Sequence, residues 1–269
     1  MVNKIKQLFC EEKIEYFAVL DYKSVKESSP EIMDREDFRP RSVIIYLLPY
    51  YTGETENISR YAASLDYHLK IREINDKISE LLLSVRPDAG MKGYGDHSPI
   101  DERDAAIKAG LGILGKNGLL INEKYGSYIF IADLITDILP NELGAITPQE
   151  YKFCHDCGAC KRVCPTGALR GESYECLSAI TQKKGELSEW EMSLMRENNT
   201  AWGCDLCQSV CPYNKEPKIT PIQFFHIDRI EELTREQLDS MDKRTFLKRA
   251  FAWRGRKTVE RNLEILEKS

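Results

Sequence analysis

Eight cysteines crowded into one short stretch constrain this chain more than any other feature of its sequence. The chain has nine cysteines in 269 residues, and eight of them lie between positions 154 and 211. Disulfide frameworks are typical of exported proteins, yet the first ten residues are charged and lack the apolar stretch and cleavage site of a signal peptide. The grouping therefore predicts metal ligation. We expect the ninth cysteine, Cys10, to be a buried or idle thiol on the first helix.

The first half of this stretch has the spacing of a bacterial ferredoxin motif. Cys154, Cys157, Cys160 and Cys164 follow one another as C-x2-C-x2-C-x3-C, and Pro165 comes directly after them. In this motif three thiolates bind one [4Fe–4S] cluster, and the fourth cysteine, before proline, binds a second cluster.

A second run repeats the last three positions of that motif. It places Cys204, Cys207 and Cys211 before another proline, with Ala201 where a first cysteine would stand, so Cys176 must complete the set. We predict two [4Fe–4S] clusters, one bound by Cys154, Cys157, Cys160 and Cys211, and the other by Cys164, Cys176, Cys204 and Cys207. A pair of zinc sites is the alternative, because zinc also binds C-x2-C pairs. Zinc would not explain a run of three cysteines or two Cys-Pro endings.

The rest of the chain predicts an α/β (α+β) core with the cluster module inserted and a helical C-terminus. The predicted segments are 1–145 for the core, 146–216 for the cluster module and 217–269 for the C-terminal helices. Apolar periodicity predicts helices over 1–12, 59–85 (with Ser59 as N-cap) and 103–109, strands over 16–20 and 42–48, and a hairpin of 119–122 with 127–136.

Composition and charge narrow the class of protein. Apolar residues make up 42% and charged residues 30%, which is ordinary for a soluble globular protein. The best candidate for a membrane span, 128–139, is interrupted by Asp133 and Asp137, and no uninterrupted apolar run approaches the roughly 20 residues that a span needs. We expect a cytoplasmic protein without a membrane partner.

A basic segment near the C-terminus has two interpretations. The net charge of −5 does not favour a nucleic-acid partner by itself, but residues 243–261 hold eight Lys or Arg and one acid. The segment either follows a phosphate backbone or forms a solvated helix face.

The glycines at 110, 112 and 115 also have two interpretations. They allow positive φ and close approach of a bulky ligand, or they end a helix and form a turn.

Five ordered blocks resemble the epoxyqueuosine reductase family. The blocks, with the residues that carry the resemblance, are 59–62 with 66–68, 95–103, 109–117, 126–137 and 203–214. Residues 254–263 also resemble the end of the family core, so the likeness covers nearly the whole chain. The sequence resembles a short form, without the helical repeats with which many family members continue.

The resemblance implies an activity, cofactors and roles for individual residues. Members of this family reduce epoxyqueuosine to queuosine at the wobble position of transfer RNA, with cobalamin and two [4Fe–4S] clusters. Asp96 matches the family's proton donor and Arg103 an arginine near the substrate. The positions that match the family's cobalamin contacts are Arg60, Tyr61, Asp66, His68, Gly115, Lys116 and Asn117. The implied partners are a transfer RNA and an external electron donor such as ferredoxin or flavodoxin, and we expect a monomer.

Two other functions remain open at this point. A corrinoid and iron–sulfur reductase could act on a different substrate, such as a small epoxide or a halogenated compound, since a site sets function and a fold does not. The chain could also be an electron carrier without catalysis. Among these, the chemistry of an epoxide fits a carboxylic acid at Asp96, because a carboxyl in a covered pocket can keep a proton near neutral pH.

Overall fold

The computed structural model describes residues 1–268 and divides the chain into two compact units. The first unit comprises Met1–Pro49 and His68–Asp156, and the second comprises Tyr50–Tyr67 and the chain from Cys157 onward. The division of the chain into three functional segments stays a prediction. Within residues 1–268, no helix is both long enough and apolar enough to cross a membrane.

The first unit is built around a four-stranded antiparallel sheet. Its strand order is β1-β2-β6-β3, and a separate two-stranded sheet pairs β4 with β5. The elements in chain order are α1 (Val2–Glu11), β1 (Phe17–Asp21), β2 (Ser42–Pro49), α2 (Tyr67–Leu83), β3 (Met91–Gly95), α3 (Glu102–Lys108), β4 (Ile113–Leu114), β5 (Leu120–Ile121) and β6 (Ile129–Thr136). The helices and strands together confirm the predicted α+β core.

The central strand β2 is buried along its whole length because helices cover both faces of the sheet. On one face Tyr46 packs against Phe9 of α1 with ring centroids 5.3 Å apart, and its hydroxyl donates to the Asn75 Oδ1 of α2 at 3.1 Å. On the other face Ile45 belongs to a cluster that includes Ala105 and Ala106 of α3. Alternate side chains of a strand point to opposite faces, so burial on both produces an unbroken apolar run.

The predicted helix over 59–85 begins eight residues later than the sequence indicates. Residues Arg60–Ala62 form a short 3-10 turn, and α2 starts only at Tyr67. Ser59 makes no cap hydrogen bond; its hydroxyl donates to the Asp205 carboxylate, which also accepts the Arg60 backbone N–H at 2.7 Å. The Ser59 hydroxyl therefore does not cap a helix, because it binds Asp205, a residue distant in the sequence.

The predicted hairpin is wrong in its strand pairing. Asn122 and Gly126 form an isolated bridge around the expected turn, but β5 pairs with β4, and β6 pairs with β2 and β3. Strand β6 therefore lies inside the main sheet. The strand β3, which contains Gly93 and Gly95, was missed because glycine has low strand propensity.

The second unit consists of short helices joined by turns. They are α4 (Ala159–Val163), α5 (Leu177–Thr181), α6 (Glu189–Glu197), α7 (Leu206–Ser209), α8 (Arg235–Ser240), α9 (Lys243–Phe246) and α10 (Arg256–Glu267). A small core joins α5, α6 and α10 through Ile180, Met195 and Ile265. The C-terminal region is helical as predicted, although turns interrupt it between α9 and α10.

Candidate functional site

Asp96 lies directly after β3, in the turn that leads to α3. Its φ of 65° is in the left-handed region, which few non-glycine residues adopt. The turn is held by the Asp96 backbone N–H, which donates to Glu102 Oε1 at 3.1 Å. Asp101 is the N-cap of α3, and its carboxylate accepts the Asp104 N–H at 3.2 Å. The backbone thus fixes the position of Asp96.

A cavity of about 450 Å³ opens beside this turn. Asp96, Ser98, Glu102, Arg103 and Ile131 are among its lining residues. Its walls come from the Asp96 turn, α3 and β6, so both residues that match the family's catalytic positions, Asp96 and Arg103, face one cavity.

The two predicted catalytic residues differ in how firmly they are held. The Asp96 side chain is 54% exposed and its carboxylate lies 3.6 Å from His68 Nε2, so His68 lies beside the predicted proton donor. The Arg103 guanidinium donates to the Gly118 carbonyl at 2.9 Å and lies 3.9 Å from the Asp101 carboxylate. Arg103 is thus held on one side by Gly118, yet its side chain is exposed and lines the cavity, a position that suits contact with an incoming anion.

The burial expected for Asp96 is found instead at Asp133, and the neighbouring Glu102 is partly buried. Burial, together with the charges of Asp133 and Asp96, raises the pKa of Glu102. Asp133, in the middle of β6, is 0% exposed, and burial raises its pKa as well, against a lowering contribution from the Ser98 hydroxyl. Sequence reasoning missed both residues; the one available signal was the acid that interrupts the apolar run of β6.

The glycines after α3 were predicted either to end a helix and form a turn or to allow close approach of a ligand, and the structure gives a different reason for each glycine. Gly110 has φ of 73° and ends α3, as a helix C-terminus requires. A Cβ on Gly112 would lie 2.5 Å from the Ile121 carbonyl oxygen, so this glycine permits the close approach of β5 to β4. Of the residues predicted to contact a ligand, Gly115 lies in the tight turn that follows β4.

Lys116 and Asn117 extend this turn towards the first cysteine. The Lys116 N–H points to Cys154 Sγ at 3.4 Å, and its Nζ lies 3.5 Å from the Asp156 carboxylate. Asn117 Oδ1 accepts the Leu119 N–H at 3.3 Å, whereas its Nδ2 is buried and has no partner in the described part of the chain. A buried amide donor without an acceptor fits a bound group that offers one, such as the amide-rich rim of a corrinoid.

Arg60 and Tyr61, also predicted at the cobalamin, are tied to the second cysteine run. Arg60 forms an ion pair of 3.1 Å with Asp205, the residue after Cys204, and the Tyr61 hydroxyl accepts the Trp202 Nε1–H at 3.0 Å. The close approach depends on Gly203, whose φ is 76° and whose Cβ would lie 2.4 Å from Ser59 Cβ. Asp66 is placed through its backbone N–H, which donates to the Lys248 carbonyl at 2.8 Å.

None of the nine cysteines, all of which lie within the described residues 1–268, forms a disulfide, and the surroundings of two of the predicted ligands act on their thiols in opposite directions. Burial acts to raise the pKa of Cys164, but hydrogen bonds lower it overall, from the Thr166 hydroxyl and from the backbone N–H groups of Thr166, Ala168 and Leu169. Burial raises the pKa of Cys204 to about 11, with Asp205, Cys176 and Cys164 adding to the rise. Three thiols of one predicted ligand set thus act on one another. Such crowding is relieved when iron binds the thiolates.

The ninth cysteine, Cys10, is exposed on α1, away from the cysteine runs in sequence.

In the basic segment, three arginines make internal contacts: Arg249 donates to the Asp228 carbonyl, Arg256 to the Leu238 carbonyl and Arg261 to the Gly185 carbonyl. The exposed cations of the segment are Lys243, Arg244, Lys248 and Lys257. The eight charges therefore do not form one continuous phosphate-binding surface.

Comparison with known proteins finds a family model that matches the cysteine-rich stretch and solved structures that resemble the whole chain. Residues 153–214 match the 4Fe-4S double cluster binding domain, which agrees with two clusters rather than zinc. A solved epoxyqueuosine reductase in complex with an epoxyqueuosine-modified tRNA-Tyr stem loop has a TM-score of 0.74 and 24% identity, covering 99% of this chain and 81% of that chain. This likeness confirms the fold.

Two curated relatives extend the match to sequence. The epoxyqueuosine reductase of Cyclobacterium marinum is 33% identical over 247 residues, covering 84% of this chain and 76% of that protein. The epoxyqueuosine reductase of Listeria monocytogenes is 32% identical over 280 residues, covering 95% of this chain and 70% of that protein. The chain belongs to the epoxyqueuosine reductase family.

Proposed function

We propose that this protein reduces epoxyqueuosine to queuosine at the wobble position of transfer RNA, with cobalamin and two [4Fe–4S] clusters. The observation that carries the proposal is the pairing of a fixed acid beside a cavity with a double-cluster module in one chain. Relatives of this chain carry the name of this activity, and one solved relative holds the modified tRNA stem loop. An electron carrier would need the clusters but not the acid-lined cavity.

The clusters and cobalamin would divide the redox work. The ligand sets are those proposed above, Cys154, Cys157, Cys160 and Cys211 for one cluster, and Cys164, Cys176, Cys204 and Cys207 for the other. Cobalamin, when bound, supplies a cobalt centre that can transfer electrons to the epoxide carbon. Its contacts would come from Arg60, Tyr61, Asp66, His68, Gly115, Lys116 and Asn117, of which Asn117 offers a buried, unpartnered donor.

The chain's own residues supply protons and orientation. The epoxide oxygen leaves as water, which requires two electrons and two protons. Asp96 gives a proton to the departing oxygen, and His68, at 3.6 Å, steadies the carboxylate that results. Arg103, at the mouth of the cavity, is placed to hold the RNA phosphate or a ribose hydroxyl.

The partners follow from this chemistry. The exposed cations Lys243, Arg244 and Lys248 are our proposed contact with the RNA backbone. We expect an external donor such as ferredoxin or flavodoxin to reduce the clusters, and we expect a cytoplasmic monomer.

Cobalamin retention tests the proposal. The protein is reconstituted anaerobically with iron and sulfide, incubated with cobalamin and desalted, and its absorption spectrum is recorded. We expect about one corrinoid per chain alongside the charge-transfer band of the clusters. Clusters without retained corrinoid would contradict the reductase and favour the electron carrier. Retained corrinoid with turnover of a halogenated compound, and none of the modified RNA, would favour the alternative substrate.

A further inference from the structure

Trp253 is a large aromatic side chain that the fold leaves uncovered. It lies in the short turn Ala252–Arg254, between α9 and α10, and 60% of its surface is exposed. Within residues 1–268, the one ring contact described for it is with the Arg254 guanidinium, whose central carbon lies 3.7 Å from the ring centroid. A guanidinium at this distance covers one face of an indole. Because the side chain is still 60% exposed, the opposite face of the ring meets solvent.

The neighbouring Arg254 differs from the other arginines near the C-terminus. Arg249, Arg256 and Arg261 each donate to a backbone carbonyl. The Arg254 guanidinium makes no hydrogen bond and no ion pair in the part of the chain that the structure describes, and of its three nitrogens only Nε is buried. Its terminal N–H groups are therefore available to an anion, and a guanidinium can bind a phosphate through two parallel hydrogen bonds.

The backbone around the turn fixes Trp253 on the surface. The Gly255 N–H donates to the Ala252 carbonyl at 2.9 Å and closes the turn. Phe251, two residues before Trp253, is fully buried, and its ring centroid lies 5.9 Å from that of Phe246 in α9. The core position is thus filled by Phe251, and Trp253 is held outside the core in a defined orientation.

The chain on both sides of the turn is basic. Residues 243–258 hold seven Lys or Arg and no acid, and Lys248 and Lys257 are exposed. The start of α10 packs on α9, because the Arg256 guanidinium lies 4.8 Å over the Phe246 ring. The two helices therefore bring their cations to the same region as the turn. A concentration of positive charge of this kind attracts the phosphates of a nucleic acid.

A second exposed tryptophan lacks this setting. Trp190, on α6, is 54% exposed, but residues 186–197 hold four Glu and one Arg. No cation lies over its ring in the described part of the chain. An acidic surface repels phosphates, so an exposed indole alone does not make a nucleotide site. Trp253 differs by having a guanidinium with unused donors and a basic surface beside the ring.

We propose that Trp253 and Arg254 bind one unpaired nucleotide of the RNA substrate, an inference that rests on the proposed function. The open face of the indole stacks on the base, and the Arg254 guanidinium binds an adjacent phosphate. Proteins bind single-stranded RNA in this way because every base has a π face and every linkage carries a charge. A base inside a duplex offers no free face, so the site selects a loop over a stem. It makes no contact with a base edge and therefore does not read sequence.

RNA binding by the cluster-loaded full chain tests the stacking, with fluorescence anisotropy of a labelled RNA as the readout. The probes are an unmodified tRNA stem loop and a blunt duplex of the same length. Trp253→Ala should weaken binding of the stem loop about tenfold and leave binding of the duplex unchanged. Trp253→Phe keeps a smaller aromatic face and should lose about threefold. Because the side chain is exposed, the melting temperature of both variants should equal that of wild type.

Trp190→Ala is the matched control, since it removes a tryptophan of similar exposure from an acidic surface. It should bind both probes as wild type does. Wild-type affinity of Trp253→Ala for the stem loop, or an equal loss for stem loop and duplex, would overturn the stacking. So would an equal loss in Trp190→Ala and Trp253→Ala.

The salt dependence of binding separates the stacked base from the phosphate contact. Arg254→Gln should reduce the slope of log affinity against log salt concentration by about one, because one phosphate contact is lost. Trp253→Ala should keep the wild-type slope, because stacking on a base releases no counterion. An unchanged slope in Arg254→Gln would overturn the phosphate contact.

These results do not depend on catalysis, so they separate this proposal from the proposed function. Selective loss of stem-loop binding in Trp253→Ala, in a protein that never reduces epoxyqueuosine, would overturn the proposed function and keep a site for an unpaired nucleotide. Wild-type RNA binding by Trp253→Ala in an active reductase would overturn the site alone. Wild-type RNA binding together with slower reduction of the clusters by an acidic flavodoxin would also overturn it, and would assign Trp253 to a protein partner.

Discussion

One buried aspartate in each unit shows that a buried charge is compensated in one unit and not in the other. In the second unit, 8% of the Asp205 side chain is exposed, and its carboxylate accepts from the Ser59 hydroxyl, the Arg60 N–H and the Arg60 guanidinium. In the first unit, Asp133 is fully buried and has no such donor among residues 1–268.

The difference in hydrogen-bond partners indicates a structural role for Asp205 and a chemical role for Asp133. A buried carboxylate with a full set of donors and a cation holds chain segments together, and Asp205 ties residues 59–61 to the second cysteine run. A buried carboxyl without donors adds little to stability, since its charged form is disfavoured. Asp133 belongs to β6, the strand whose residues Ile129, Phe130 and Ile131 line the cavity, so this acid is a candidate for handling protons. We therefore expect the first unit to handle protons, whereas the second unit contains seven of the eight cysteines predicted to bind the clusters, all except Cys154.

Loss of a cluster ligand should have the largest effect. Cys164→Ala removes a thiolate that backbone N–H groups already favour, so one cluster should be lost and iron should fall from about eight to about four per chain. Reductase activity should disappear. Cys10→Ala, at the exposed ninth cysteine, should keep full iron content. Equal iron in both variants would contradict the ligand assignment.

Removing the acid at Asp96 should come next. Asp96→Asn keeps the shape of the turn but has no proton to give, so single-turnover reduction should slow by about 100-fold or more. The absorption spectrum and RNA affinity serve as controls and should match those of wild type. Full turnover by this variant would move the acid role to another residue, with Glu102 the first to test.

Substitution of each aspartate in turn tests whether Asp205 and Asp133 have different structural roles. Asp205→Ala removes a buried ion-pair partner of Arg60, although Glu54 remains, so the free energy of unfolding should fall by about 3 kcal/mol. Chemical denaturation of the apoprotein measures it. Asp133→Asn, by comparison, should not lower stability at pH 8. If both variants lose stability equally, the two carboxylates have the same structural role.

Charge reversal in the basic segment should have the smallest effect. Arg244→Glu with Lys248→Glu should weaken binding of the tRNA stem loop about tenfold and reduce the salt dependence of binding, because both side chains are exposed. Arg256→Glu is the contrasting variant: its guanidinium contacts the Leu238 and Met241 carbonyls, so it should lower the melting temperature instead. Unchanged RNA binding in the double variant would leave the segment a solvated face.

Features set by local spacing could be predicted from the sequence, and features set by distant contacts could not. The ferredoxin spacing of the cysteines and the apolar runs of β1 and β2 are local signals, and they located the cluster module and the sheet. Ser59 failed as a helix cap because Asp205, far along the chain, binds its hydroxyl. The pairing of β6 depends on two strands distant in sequence.

The acid site shows the same limit. Asp96 was found through a motif, but the burial that raises the pKa of Glu102 and Asp133 arises only when α3 packs against β6. An acid in an apolar strand was visible in the sequence. That its charge acts on a second carboxyl, Glu102, was not.

The central claim is that this chain reduces epoxyqueuosine in transfer RNA, and product analysis tests it most directly. Reconstituted, cobalamin-loaded protein is incubated anaerobically with a chemical reductant and an epoxyqueuosine-modified stem loop, and the digested nucleosides are separated by mass. The account predicts conversion to queuosine, with the loss of one oxygen, that requires both cobalamin and intact clusters. Epoxyqueuosine left unchanged by fully loaded protein would contradict it.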